Sequence, residues 1–156
     1  MNTFKYGVYL AITLIAYFIL LDLLGLADNV YFSFFNAVLT AGSLFLAVRD
    51  VYKHEKEKFK YMEGFQAALV SGFIGTLIFT VFMAIYLYEI NPDLGAEIRQ
   101  QVEIAGSGVN VAILLFIFLS GLATTIVSAL CILPIYKRSW NTRQVRAEQK
   151  PMNHKA

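Results

Sequence analysis

Apolar residues fill four long stretches of this chain, and the charged positions collect between them. The stretches are residues 6–26, 30–48, 67–87 and 109–135. The first is interrupted only by Asp22 and the second holds Asn36 near its start. The third carries no ionisable side chain except Tyr86, and the fourth is uncharged. A helix rises about 1.5 Å per residue and needs roughly 20 apolar residues to cross about 30 Å of hydrocarbon. Every stretch is long enough, and the fourth exceeds the need, so it should tilt or protrude. The pattern predicts an all-α membrane protein with four transmembrane helices.

Charge then orients the helices. Arg49, Lys53, Lys56, Lys58 and Lys60 lie between the second and third stretches, and Lys137, Arg138, Arg143, Arg146, Lys150 and Lys155 follow the fourth. Eleven of the thirteen basic residues thus fall in two segments on one side, while Arg99 alone lies in the segment 88–108. The positive-inside rule assigns the basic side to the cytoplasm, so both termini are expected there, N-in and C-in. Lys5, the apolar stretch after it and the small residues Gly25 and Ala27 also fit a signal peptide. The stretch is long, rich in Tyr and Phe, and preceded by a single Lys, so it is expected to stay as a span.

The connections carry their own signals. Val48, Tyr52, Glu55, Phe59 and Met62 recur at four- and three-residue steps, beside Asp50–Lys53 and Lys53–Glu57 spacings that allow ion pairs. This predicts cytoplasmic extensions of helices two and three joined by a tight turn. On the other side, Asn91 can cap a helix that starts at Pro92, with Asp93 at the positive end of its dipole. Leu94, Ile98 and Val102 would line one face of this short outer interfacial helix, and Gly106-Ser107-Gly108 would end it. Residues 1–136 form the predicted transmembrane domain and 137–156 a basic cytoplasmic tail. In that tail Lys137, Arg138, Arg143 and Arg146 are expected at lipid headgroups, with Trp140 as an interfacial anchor. No aromatic interleaving accompanies the charge, so nucleic acid is not an expected partner.

Helices in lipid associate by close packing and hydrogen bonds rather than by excluding water. Gly64, Ala68, Gly72, Thr76 and Thr80 recur every four residues, with Gly75 beside them, which gives helix three a strip of small residues. Ser120, Thr124 and Ser128 make a similar strip on helix four, flanked by Gly121, Thr125 and Ala129. The two strips are expected to meet, or one to mediate self-association. Asp22 is the one formal charge in a span; it is either an interfacial acid, hydrated or bonded to Asn36, or an intramembrane proton or cation site.

Composition narrows the chemistry further. The chain is 58% hydrophobic over 156 residues, and four spans leave no room for a separate soluble catalytic domain. The single Cys131 excludes an internal disulfide, and His54 and His154 lie far apart in charged segments. No nucleophile–base set, paired intramembrane carboxylates, zincin motif or phosphate-binding Gly loop is present, so no enzyme activity, cofactor or metal is expected.

Three motifs carry a family resemblance. Phe4-Lys5-Tyr6-Gly7 opens the chain, Leu46-Ala47-Val48-Arg49 leaves helix two, and Tyr61-Met62-Glu63-Gly64-Phe65 leads through Gly72 and Gly75 to Tyr86-Leu87-Tyr88-Glu89-Ile90-Asn91-Pro92-Asp93. The chain resembles, over roughly residues 4 to 135, a bacterial integral-membrane family catalogued as domain of unknown function 4199. The resemblance implies the four-helix topology and a Gram-negative inner membrane, and no site residues. The expected function is non-catalytic, acting through the lipid bilayer and through contacts with itself or other membrane-protein subunits. The alternative is a small transporter or channel using Asp22 and Asn36.

Overall fold

The computed structural model describes residues 3–26, 30–55, 61–94, 96 and 109–136, and among these every regular element is helical. Helix α1 is Thr3–Leu23, α2 is Val30–Glu55, α3 is Tyr61–Ile85 and α4 is Val109–Ile132. A π-helical turn, Tyr86–Ile90, prolongs α3, and a 3₁₀ turn, Leu133–Tyr136, prolongs α4. Four segments, Thr3–Leu23, Phe34–His54, Tyr61–Ile90 and Val111–Tyr136, are long and apolar enough to cross a membrane. This is a multi-pass helical membrane protein.

Element ends depart from the apolar runs for local reasons. α1 stops at Leu23, short of residue 26, because Gly25 takes φ +67°. Its N–H donates to the Asp22 carbonyl at 3.0 Å and the Leu26 N–H donates to the Leu21 carbonyl at 2.9 Å. This is a Schellman cap, which satisfies the last carbonyls of the helix and favours glycine at the left-handed position. α2 continues past Val48 to Glu55, and α3 begins at Tyr61, ahead of Ala67. Both helices therefore extend past their apolar runs, as the stripe between them suggests. Asp50 pairs with His54 one turn on, at 3.5 Å, rather than with Lys53. Pro134 has no N–H for a helical bond, and α4 tightens into the 3₁₀ turn there.

Contacts order the helices as a rhombus. α2 and α3 touch each other and both flanking helices, which places α1 and α4 at the far corners. Gly7 and Leu10 meet α3 at Ser71, Ile74 and Gly75, while Phe18 meets Phe79, Phe82 and Tyr86 further along both helices. α1 and α3 are therefore parallel neighbours. Gly72 faces Thr125 and Thr76 faces Gly121, so α3 and α4 run antiparallel. Thr3 and Tyr136 consequently lie at one end of the bundle, here the terminal end; the α1–α2 connection lies at the opposite, hairpin end.

The core has two parts. Leu10, Leu14, Leu44, Val48, Ala68, Ala129, Ile132 and Leu133 pack in the half towards the terminal end. Met83, Tyr86, Leu87 and Leu94 form the second, with Phe18, Phe79 and Phe82 against them. Phe18 stands edge-on to Tyr86 at a centroid distance of 5.0 Å, a favoured quadrupole geometry. Hydroxyls inside the helices bond backwards: Thr40 donates to the Asn36 carbonyl, Thr80 to Thr76 and Thr124 to Ser120, each at 2.8 Å. Such bonds let a hydroxyl enter lipid without an open donor.

Candidate functional site

Small residues create the closest helix contacts. A Cβ at Gly72 would collide with Thr125; one at Gly75 would lie 2.6 Å from Leu10 Cδ2, and one at Gly121 2.5 Å from Thr76 Cγ2. Gly64, Ala68, Gly72, Gly75 and Thr76 are buried, and Thr80 is half-buried. The α3 strip thus faces α1 on one flank and α4 on the other. On α4 the inward residues are Gly121, Thr125 and Ala129, one position on from the Ser120-Thr124 step, together with Ser128 of the expected ladder. Ser120 is exposed and Thr124 half-buried, which corrects their expected place in the α3–α4 seam. A shift of one residue rotates the face by about 100°, so both ladders cannot point inward.

At the hairpin end the helix cap positions a carboxylate. Asp22 sits in the last turn of α1, where the dipole disfavours negative charge. The Tyr86 hydroxyl, on the π-helical turn of α3, donates to Asp22 Oδ2 at 2.5 Å. The π turn closes with the Asn91 N–H donating to the Tyr86 carbonyl at 2.8 Å, and such extra-residue turns redirect side chains. Asn91 then caps the next turn, its Oδ1 accepting from the Leu94 N–H at 3.2 Å. Asn36 is not part of this site. Its Oδ1 is buried with no hydrogen-bond partner among the described residues, as is Thr125 Oγ1. Asp22 takes its hydrogen bond from Tyr86, and none joins it to Asn36 among the described residues.

At the terminal end, Tyr6 of α1 and Leu46, Arg49, Asp50 and Lys53 of α2 line an open cleft. Tyr136 closes the far side of α2, its ring 5.0 Å from Tyr52 and 5.8 Å from Phe45. Ser71 ties the start of α1 to α3 by donating to the Thr3 carbonyl at 3.0 Å. Cys131 is exposed on α4. Among the described residues no three His, Cys, Asp or Glu side chains gather into a metal-binding group. Lys137, Arg138, Trp140, Arg143 and Arg146 lie outside the described residues, as do residues 97–108 of the expected outer helix.

The family described as protein of unknown function (DUF4199) matches residues 5–132, most of the chain. The chain belongs to this family. Comparison with curated proteins and with solved structures finds no match. The DUF4199 match takes in the second and third of the spans found among the described residues and most of the first and fourth. The segment Tyr86 to Asp93 holds the π turn, the Asp22 partner and the Asn91 cap together. Reading the sequence missed Tyr86 as that partner, and the signal was weak: a Tyr in a helix that an aromatic belt also explains. It missed Gly25 as a cap too, although a Gly three residues beyond the only charge of the span was a usable sign.

Proposed function

We propose that this DUF4199 chain is a non-catalytic protein of the bacterial inner membrane, both ends cytoplasmic, that acts by contacting a second copy or another membrane subunit. One observation carries the reading: α4 is the least buried span, and small hydroxyl residues stand on its outer flank. Over an apolar 18-residue stretch of each span, 11% of the α4 positions are buried against 33% of those in α3. Ser120 is open and Thr124 is half-buried beside it, while the inward Gly121 and Thr125 engage α3. A small-xxx-small step on a lipid-facing flank lets another helix backbone come close. The exposed Phe116 and Val127 on the same flank supply dispersion contacts that lipid alone would otherwise fill.

The test is co-isolation in mild detergent, paired with the variant Ser120→Leu/Thr124→Leu. The wild type should carry a constant second chain or a second copy, and the double variant should lose it while keeping its helical content. A lone monomer at native abundance, without any co-isolating chain, overturns the proposal.

A further inference from the structure

The outward face of α2 changes from cationic to apolar along its length. Arg49 and Lys53 stand exposed one turn apart beside Tyr6 in the terminal-end cleft. The neighbouring Asp50 carboxylate faces the Tyr6 hydroxyl, and His54 Nδ1 lies 3.5 Å from its Oδ1 while donating to the Asp50 backbone carbonyl at 2.8 Å. No ion pair joins Arg49 or Lys53 to a carboxylate among the described residues. Towards the hairpin end the same face continues through Leu46, Gly42, Val38 and Phe35, all exposed. Steps of three and four residues keep these positions within an arc of about 80°.

Gly42 is the unusual member. A Cβ on Gly7, Gly72, Gly75 or Gly121 would press on a neighbouring helix, but one on Gly42 would meet nothing within 4 Å. Glycine weakens a helix interior, and here no close contact among the described residues accounts for it. It leaves a shallow trough in an otherwise bulky stripe. From Arg49 to Val38 the helix rises about 16 Å, close to half of the roughly 30 Å hydrocarbon core and hence to one leaflet.

We propose that this face binds one anionic phospholipid, its phosphate held between Arg49 and Lys53 and one acyl chain laid along Leu46, Gly42 and Val38. Paired cations one turn apart offer a phosphate several charge-assisted donors, the Arg guanidinium two of them in a fork. The apolar stripe starts directly beneath them, which matches a headgroup joined to a chain and not a free anion. A second copy fits worse, because a two-fold contact through this face would bring Arg49 and Lys53 of both copies to the same depth. The inference requires the chain to lie in a bilayer and holds whichever side its ends face.

Native mass spectrometry of the full chain, released from phosphatidylcholine nanodiscs containing a minority of phosphatidylglycerol, tests it. One retained phosphatidylglycerol, enriched over its share of the disc, is expected. The variant Arg49→Ala/Lys53→Ala should lose about 25-fold of that preference, a factor of roughly five for each cation at an anionic headgroup. Both side chains are exposed, so the thermal midpoint should hold. Gly42→Leu, which fills the trough, should lower retention of either lipid without touching the cations. Full preference in the Arg49/Lys53 variant overturns the proposal. So does displacement of the adduct by inorganic phosphate, or a two-copy mass that Gly42→Leu abolishes.

Discussion

Single side chains here are decided by what faces them, and two glycines make the contrast measurable. Gly72 abuts Thr125, whereas Gly42 has open space where a Cβ would go. Gly72→Ala forces α3 and α4 apart and should destabilise the bundle by about 1–3 kcal/mol, the range for overpacking. Gly42→Ala should be neutral, or stabilising by up to about 1 kcal/mol from helix propensity. Reversible unfolding in mixed micelles separates the two, and equal effects would contradict the packing described. The Asp22–Tyr86 bond gives a second ordering. Tyr86→Phe strands a carboxylate at the negative end of α1, at a cost of about 1–3 kcal/mol. Asp22→Asn keeps an acceptor for the hydroxyl and removes the charge, so it should cost less. A double-mutant cycle in the same assay reads the coupling. Sequence alone marked Asp22 as the unusual residue of the first span but offered Asn36, across the hairpin, as its partner. The true donor lies 64 positions away, and only the parallel packing of α1 on α3 brings it near.

Helix ends and faces were unequally legible, and the physics of lipid explains the difference. Asn91 capping the turn at Leu94 followed from local chemistry, because Asn-Pro-Asp specifies its own backbone bonds. Four apolar runs likewise translate into four helices, since hydrocarbon leaves the backbone no other way to satisfy its polar groups across a span. Which face of α4 turns inward was not readable in the same way. Lipid is as apolar as Leu, so no hydrophobic stripe marks the interior; the neighbouring ladders at Ser120 and Gly121 differ only in which one another helix chooses. The end of α1 was hidden for a different reason: Leu24 and Leu26 prolong the apolar run beyond the helix, and Gly25 between them stops it. Gly25→Ala puts a Cβ into a left-handed position and should cost about 1–2 kcal/mol. Gly25→Asn, better tolerated there, should cost less. Hydrogen exchange at the Gly25 and Leu26 amides is the local readout. Protection should fall in the alanine variant ahead of any global change, because both amides bond only through the cap.

At the scale of the whole molecule, parallel and antiparallel packing put Thr3 and Tyr136 at one end, so the described ends share a side of any bilayer the bundle spans. Packing cannot say which side, because a bundle reads the same from either leaflet; charge can. Arg49, Lys53, Lys56, Lys58 and Lys60 join the second and third runs, six further basic residues follow Tyr136, and the segment 88–108 has Arg99 alone. Moving these cations across the membrane during insertion is disfavoured, so they should hold the terminal end in the cytoplasm. The two basic segments are redundant, and that redundancy makes the prediction specific. Replacing Lys56, Lys58 and Lys60 with Gln should leave a reporter fused after Ala156 on the cytoplasmic side, since the tail still carries six cations. Replacing the tail cations as well should produce a mixed population, with part of the reporter across the membrane. A reporter already outside in the unchanged chain would refute the orientation without disturbing the helix packing. Inversion by the three loop changes alone would mean that the tail takes no part in orienting the bundle.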